Sequence, residues 1–170
     1  MRAVIFSGGQ VSGADFLKSV ISAEDFVIAA DRGYCAAREI GILPDITVGD
    51  MDSVTEKPDG VRIVRLEPLK DEPDTEAAMR LALEEGADEI LFLCALGGRA
   101  DHALANMLLL KQLGDMGIKA SVRDEKNEVY YMKESISLRG KKGDTVSVIP
   151  LETLREVSNS GLLYALDGQD

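Results

Sequence analysis

The sequence is poor in the residues on which many catalytic and metal-binding classes depend. Its 170 residues include one histidine, His102, two cysteines and no tryptophan. A single histidine excludes any mechanism that needs a histidine pair. The cysteines, Cys35 and Cys94, lie far apart and have apolar or small neighbours. Because free cysteine commonly behaves as a small hydrophobe, we expect both to be buried.

The chain also lacks an excess of basic residues, because acidic residues outnumber them. The chain has 19 Lys and Arg against 30 Asp and Glu, and its formal net charge is −11. Because nucleic-acid binding depends on clustered positive charge, this balance argues against a nucleic-acid partner. An anionic small substrate would need local help from metal ions, backbone N–H groups and a few cations such as Lys70 and Arg99.

Long hydrophobic runs are absent. No apolar segment reaches the length of a membrane span, which argues against a membrane partner. The first six residues are typical of a strand, and no cleavage region of a signal peptide follows them. We therefore expect a cytoplasmic protein.

Short apolar segments alternate with amphipathic ones over the first two-thirds of the chain, which is typical of βα units around a mostly parallel sheet. We predict strands at residues 3–7, 26–30, 46–49, 61–66, 89–95 and 119–123. We predict helices at residues 14–21, 34–40, 75–85 and 102–113. The predicted fold class is α/β.

The pattern changes after residue 120. No long helical pattern appears there, and residues 128–132, 135–138 and 145–150 are typical of short strands between charged or glycine-containing turns. We therefore predict an α/β domain over residues 1–120 and a separate all-β domain over residues 121–170.

Two aspartates, Asp50 and Asp52, follow the third predicted strand, and Ser53 comes directly after them. Paired carboxylates suit a hard cation such as Mg²⁺, which completes its octahedron with water and substrate phosphates. Asp-x-Asp pairs are also common in solvated turns, and the pair alone favours that simpler interpretation. Its position beside other polar clusters favours phosphate chemistry.

Other clusters follow the second and fifth predicted strands. They are Asp31-Arg32-Gly33 and the segment Gly97-Gly98-Arg99-Ala100-Asp101-His102. Ligands of open α/β sheets lie beyond the carboxyl ends of the strands, so we expect these loops to share one rim with Asp50 and Asp52. Glycines would allow close approach of a phosphate, and Arg99 could clamp it. The simpler alternative is a Gly-Gly turn with a solvated arginine, and the role of His102 stays open.

A fourth cluster precedes the third predicted helix. It contains Lys70, Asp71, Asp74, Thr75 and Glu76. Helix capping would explain Asp74 or Thr75 by itself. It explains Lys70 beside Asp71 less well, so capping and function stay equally open for this segment.

The ordered series of motifs resembles the thiamine pyrophosphokinase family, also called thiamine diphosphokinase. The series extends over most of residues 1–110 and consists of Asp31-Arg32-Gly33, Gly41 through Pro44-Asp45, Gly49-Asp50-Met51-Asp52-Ser53, Lys70-Asp71-x-x-Asp74-Thr75-Glu76, Gly97-Gly98-Arg99-x-Asp101-His102 and Asn106. Each motif alone is ambiguous, whereas the whole series is specific.

The resemblance implies a Rossmann-like nucleotide-binding domain followed by a β-sandwich that binds thiamine. It also implies a homodimer with active sites shared between the chains. The reaction implied is Mg²⁺-dependent transfer of the diphosphate of ATP to the hydroxyl of thiamine, which gives thiamine diphosphate and AMP. Metal ligands and catalytic residues would be Asp50, Asp52 and Asp74. Nucleotide-binding residues would be Asp31, Gly33, Ser53, Lys70, Asp71, Thr75, Gly97, Gly98, Arg99, Asp101 and His102.

The chain departs from the family pattern at two places. Pro73 stands where the family more often has threonine, and the sandwich is expected to be incomplete at its carboxyl end. Ser158 and Asn159 are not assigned to thiamine, because the residues after them match an earlier stretch of the sandwich. The alternatives are a catalytically impaired Mg²⁺-nucleotide-binding protein and a phosphotransferase that acts on a different hydroxyl compound.

Overall fold

The structure, a computed structural model, describes residues 1–49, 60–66 and 73–168. The helices are α1 (Ala14–Val20), α2 (Gly33–Glu39), α3 (Asp74–Glu84) and α4 (Ala100–Asp115). The strands are β1 (Arg2–Phe6), β2 (Phe26–Ala30), β3 (Ile46–Gly49), β4 (Arg62–Arg65), β5 (Glu89–Leu93), β6 (Lys119–Arg123) and β7 (Glu128–Tyr130). Within the described ranges, no helix is long and apolar enough to cross a membrane.

The strands form one sheet in the order β4-β3-β2-β1-β5-β6-β7. Strands β1 to β6 are parallel, and β7 pairs antiparallel with β6. From β1 the chain moves outward through β2 and β3 to β4, and then returns to the other side of β1 as β5. The strand order therefore reverses between β1 and β5. The prediction of an α/β fold with a mostly parallel sheet is confirmed.

Helices cover both faces of the sheet, as the alternation of β1 shows. Ala3 and Ile5 belong to a buried cluster with residues of α3 and α4. Val4 and Phe6 point to the opposite face and join a second cluster with residues of α1 and α2. A strand buried on both faces has a nearly continuous apolar sequence, which explains why β1, β2 and β5 were recognisable from the sequence.

The two cysteines lie in different environments. Cys94 is buried, as expected, and burial raises the pKa of its thiol. Cys35 is exposed, so the prediction that it is buried is wrong. Cys35 lies on α2, whose buried face is formed by Tyr34, Ala36 and Ala37, and its own position falls on the opposite side of the helix.

The carboxyl-terminal part differs most from expectation. The strand predicted at residues 128–132 is present as β7, but it extends the parallel sheet through β6. No strand is present at residues 135–138 or 145–150, so those two predictions are wrong. A segment of alternating pattern becomes a strand only where a neighbour supplies a hydrogen-bond ladder. The backbone bonds found between residues 136 and 168 are isolated ones, from Asp144 to Lys141 and from Asn159 to Leu166.

The chain divides into two compact units, Met1–Ser135 and Ile136–Asp170. The described residues of the second unit contain no helix and no extended strand, so the β-sandwich is not confirmed. The domain boundary expected at residue 120 stays a prediction.

Candidate site at the switch point of the sheet

The candidate site lies at the carboxyl edge of the sheet, around the ends of β1 and β5. Parallel strands end at the same edge, so the described loops after β1, β2 and β5 begin there. Strand order reverses between β1 and β5, and ligands of open α/β sheets usually bind at such a point. The clusters after β2 and β5 follow strand ends at this edge, whereas a rim shared with Asp50 and Asp52 stays a prediction, because those residues lie outside the described ones.

The loop after β1 is tied to the loop after β5 by three backbone hydrogen bonds. Ser7 donates to the Leu93 carbonyl at 2.9 Å, Gly9 to the Cys94 carbonyl at 2.8 Å, and Gln10 to the Leu96 carbonyl at 3.2 Å. A Cβ atom at Gly9 would lie 2.5 Å from the Cys94 oxygen, so this approach needs glycine.

The side chain of Gln10 extends this connection to the glycine pair. A Cβ atom placed on Gly97 would lie 2.6 Å from Oε1 of Gln10 and 2.8 Å from its Cβ. Gln10 therefore packs against Gly97. The β1 loop and the first glycine of the β5 loop are therefore in contact.

Asp31 holds an unusual backbone conformation at the end of β2. Its φ is 48°, in the left-handed region that is uncommon for residues other than glycine, although asparagine and aspartate tolerate it best. Its N–H donates to the Val48 carbonyl at 2.9 Å, and its backbone lies 3.4 Å from where a Cβ on Gly49 would be. Cys94 at the end of β5 has a similar φ of 54°. Such backbone conformations are often found at functional sites.

Unpartnered polar atoms cluster at the same edge of the sheet. Three of the five buried side-chain atoms without a hydrogen-bond partner in the described ranges lie at the carboxyl ends of strands, and they are Ser7 Oγ after β1, Asp31 Oδ1 after β2 and Arg123 Nε at the end of β6. Buried polar groups are normally satisfied, so this concentration calls for an explanation. A polar ligand at this edge would supply one.

Gly97 and Gly98 form the turn that leads into α4. Their φ values are 79° and 68°, a conformation that glycine adopts without strain. Arg99 is the N-cap of α4, and its fork donates to Asp101 through Nε at 3.1 Å and Nη2 at 2.6 Å. The side chains of Arg99 and Asp101 are both exposed. The hydrogen bond from Arg99 lowers the pKa of Asp101 to about 2. Arg99 is therefore next to the predicted phosphate position but is paired with a neighbouring carboxylate.

Asp74 and Thr75 form the first turn of α3, whose N-cap is Pro73. Neither residue is the N-cap itself, and Asp74 is one of the acidic residues expected in the first turn of a helix, so helix-terminal and functional roles both stay open for this segment. Thr75 is buried, and Asp74 is half-buried with a partner of its own. His102 is exposed in the first turn of α4. Participation of these three residues in nucleotide or metal binding stays a prediction.

Gly33 has a packing role in the structure. A Cβ atom at this position would collide with the carbonyl oxygen of Phe6, so glycine allows α2 to begin directly against the end of β1. Asn106 also has a structural role, because its buried amide donates to the Ala95 carbonyl at 2.8 Å and holds α4 to the end of β5. Binding of nucleotide by Gly33 stays a prediction.

Five predicted site residues lie outside the described residues, namely Asp50, Asp52, Ser53, Lys70 and Asp71. Their predicted roles stay predictions. Within the described ranges, no group of three or more His, Cys, Asp or Glu side chains is positioned to hold a metal ion.

The loop Ser7-Gly8-Gly9-Gln10 is the part of the site that sequence reasoning missed. The signal was present, because two glycines directly follow the first apolar strand and Asp31 follows the next one. A glycine-rich turn after β1 and an acidic residue about 20 positions later are the pattern of nucleotide-binding α/β folds. Its spacing differs from G-x-G-x-x-G, so the pattern was not recognised.

Comparison with known proteins gives a consistent family match. A family model described as "Thiamin pyrophosphokinase, catalytic domain" matches residues 17–122. The chain is 31% identical over 150 residues to the thiamine pyrophosphokinase of Bacillus subtilis, and the match covers 82% of this chain and 70% of that relative.

Solved structures agree with this match. A crystal structure of thiamine pyrophosphokinase from Bacillus subtilis superposes with a TM-score of 0.87 at 26% identity, and covers 99% of this chain and 83% of that chain. One from Geobacillus thermodenitrificans superposes with a TM-score of 0.65 at 28% identity, and covers 75% and 61% of the two chains.

Proposed function

The chain belongs to the thiamine pyrophosphokinase family, and from that premise we propose that it transfers the diphosphate of ATP to the hydroxyl of thiamine. It is accordingly a transferase of the kinase type. The proposed products are thiamine diphosphate and AMP. The observation that carries the proposal is the family match over residues 17–122, combined with a glycine turn and the start of a 16-residue helix at the switch point.

The proposed reaction exchanges one phosphorus–oxygen bond for another. The hydroxyl oxygen of thiamine bonds to the β-phosphorus of ATP, while the bond from that phosphorus to the oxygen bridging to the α-phosphorus breaks. The hydroxyl proton is lost, and the electron pair of the broken bond remains on the AMP phosphate. Negative charge builds on the transferred and leaving oxygens, so positioning and electrostatic stabilisation should supply most of the catalysis.

We propose Mg²⁺ as the cofactor, held by Asp50 and Asp52 with help from Asp74. The donor set is composed of carboxylate oxygens, which fits Mg²⁺ better than it fits a metal that prefers histidine or cysteine. When bound, the ion would neutralise negative charge on the phosphates of the nucleotide. One of these three aspartates would accept or orient the hydroxyl proton of thiamine.

Arg99 and the two glycines before it would bind the phosphates. Gly98 leaves room for a phosphate oxygen close to the backbone, since no described atom lies within 4 Å of where its Cβ would be, and α4 presents unpaired N–H groups at its start. Arg99 would exchange the carboxylate of Asp101 for a phosphate, because guanidinium binds both in the same bidentate manner. The exchange needs little backbone movement, since both side chains are exposed.

We also propose a homodimer with active sites shared between the chains, as the family resemblance implies. The alternative, a nucleotide-binding protein without transferase activity, is not favoured, because the relatives that match carry the name of the enzyme. Size-exclusion chromatography with light scattering would test the dimer.

The experiment that tests the function uses the purified chain with ATP, Mg²⁺ and thiamine. We expect AMP and thiamine diphosphate in equal amounts, with both absent when thiamine or Mg²⁺ is left out. AMP release that does not depend on thiamine would contradict the proposal. Nucleotide binding without any product would favour the alternative.

Substitution Asp52→Asn tests the proposed metal site. Removing one carboxylate charge while keeping the shape should lower kcat by at least about 100-fold, because oxyanion-stabilising groups typically contribute that much. The circular dichroism spectrum and melting temperature should stay close to those of the parent. The exposed Asp15 on α1 offers a matched control, and Asp15→Asn should leave kcat unchanged. Substantial activity of Asp52→Asn at ordinary Mg²⁺ concentration would contradict the assignment.

A further inference from the structure

We propose that Asp31 and the neighbouring glycines of the β1 loop form the subsite for the ribose of the nucleotide, in which the Asp31 carboxylate accepts hydrogen bonds from the vicinal hydroxyls. This inference rests on the proposed function, because it takes a bound nucleotide as its starting point. It gives Asp31 a specific role where the sequence predicted only general participation in nucleotide binding.

The direction of the Asp31 side chain is the first argument. A Cβ atom on Gly8 would lie 3.7 Å from Oδ2 of Asp31, whereas the contact of Asp31 with Gly49 is made through its backbone and Cβ. The carboxylate therefore points toward the β1 loop and away from the end of β3. The absence of a side chain on Gly8 leaves space beside it for a ligand.

The second argument is that one oxygen of this carboxylate has an unmet capacity for hydrogen bonds. Among the described residues, Oδ1 of Asp31 is buried without a hydrogen-bond partner, and the residue as a whole is half-buried. Burying a carboxylate away from water costs free energy unless hydrogen-bond donors replace the lost water molecules. The left-handed backbone, held by the bond to Val48, keeps the side chain in this position. Rotation about the last torsion of aspartate is easy, so either oxygen can face the ligand.

The chemistry of the carboxylate favours a diol. A carboxylate accepts hydrogen bonds through two oxygens, and vicinal hydroxyls offer two adjacent donors. The same carboxylate repels phosphate, because both groups are negatively charged. Thiamine has a single hydroxyl, which is the reacting group, so the diol must come from the nucleotide.

Glu125 indicates where the phosphates do not bind. In nucleotide-binding α/β folds, the pyrophosphate often lies at the start of the helix after β1. Here Oε1 of Glu125 accepts a hydrogen bond at 2.6 Å from the N–H of Gly13, the N-cap of α1. A carboxylate already occupies this position, and α1 is only seven residues long. The phosphates are therefore expected at α4.

The resulting placement spans the switch point. Asp31 follows β2 and the Gly97–Gly98 turn follows β5, with β1 between them. Two strand spacings amount to about 10 Å, a distance that an extended nucleoside triphosphate can bridge. The ribose would lie near Gly8 and the phosphates near Arg99.

The test measures binding of AMP, 2′-deoxy-AMP and 3′-deoxy-AMP by calorimetry, without thiamine, to the full chain and to the Asp31→Asn variant. The parent should bind AMP about 10- to 100-fold more tightly than at least one deoxy form, since hydrogen bonds to a charged group contribute that much. In the Asp31→Asn variant, the affinity for AMP should fall by a similar factor, and the preference for AMP over the deoxy forms should disappear. Asp15→Asn is the matched control and should keep both the affinity and the preference.

Asparagine tolerates the left-handed backbone, so the variant should keep the fold, which its melting temperature would verify. Equal binding of AMP and both deoxy forms by the parent would overturn the inference without needing any variant. It would also be overturned if Asp31→Asn kept the preference for AMP over the deoxy forms, or bound AMP as tightly as the parent does. If the parent bound no nucleotide at all, the proposed function would fail as well, so the two failures are distinguishable.

Discussion

The two compact units of the chain place their apolar residues in opposite environments. In the first unit, Ile5 and Phe92 are completely buried between the sheet and its helices. In the second unit, Ile149 and Leu163 are 79% and 90% exposed. Both units contain strongly apolar segments, so apolar content alone does not produce a core. A core forms where a second apolar surface covers the first, as the helices do on both faces of the sheet.

Substitution of Phe92 and of Leu163 by alanine tests this contrast most strongly. Phe92→Ala should lower the free energy of unfolding by about 3–5 kcal/mol, because it leaves a cavity in the core. Leu163→Ala should change it by less than about 0.5 kcal/mol, as is usual for exposed positions. Urea unfolding followed by circular dichroism would measure both. A large effect of Leu163→Ala would mean that the second unit buries this side chain in solution.

Glycine substitutions offer a second contrast between the units. Gly33→Ala should lower the free energy of unfolding by about 1–3 kcal/mol, because the new Cβ collides with the Phe6 carbonyl. Helix propensity alone predicts that alanine would raise the free energy of unfolding at this position, because alanine favours a helix more than glycine does. At Gly140 in the second unit, the nearest atom to a new Cβ is a side-chain oxygen of Asp144, 3.2 Å away, which can move.

Gly140→Ala is therefore the matched control for Gly33→Ala and should be nearly neutral. Thermal unfolding of both variants would measure the difference. A stabilised Gly33→Ala protein would show that α2 can move away from β1 without loss, and the tight packing inferred at this point would be wrong.

The smallest effect is expected at the exposed pair of Arg99 and Asp101. Arg99 lowers the pKa of Asp101 to about 2, so its stabilising effect is present above the ordinary aspartate pKa and is lost as the pH falls through about 2. Arg99→Ala should return the pKa of Asp101 toward its ordinary value, with little change in stability because solvent screens the pair. Carboxyl NMR titration would measure the pKa.

Arg80 on α3 provides the control for that titration, since it pairs with Glu84 through a 2.9 Å contact. Arg80→Ala should leave the pKa of Asp101 unchanged. An unchanged pKa in Arg99→Ala would show that the two side chains are not paired in solution, and Arg99 would then need no exchange of partners before binding phosphate.

Much of the first unit could be predicted because its signals are local. Residues 26–30 and 46–49 were expected as strands and form β2 and β3, since continuous apolar runs with turn residues at their ends identify buried strands. The failure at residues 145–150 has a matching cause. Alternation predicts a strand only if another strand pairs with it, and pairing is decided by residues far away in the sequence.

The site was predictable in part for the same reason. Gly97, Gly98 and Arg99 were recognised from residue types that are adjacent in the chain. The contact of Gln10 with Gly97 was not, because it joins loops that are 87 positions apart, and the buried unpartnered oxygen of Asp31 depends on the end of β3 and the loop after β1.

The sequence by itself determined the fold class, the family and the types of side chain available for phosphate chemistry, because periodicity and motif order are properties of the chain alone. The tertiary structure decided which loops meet. It places the ends of β1 and β5 side by side where the strand order reverses, turns Asp31 toward Gly8, and puts Glu125 where a phosphate could otherwise bind. These relations depend on contacts between distant residues, and such contacts exist only after the sheet has formed.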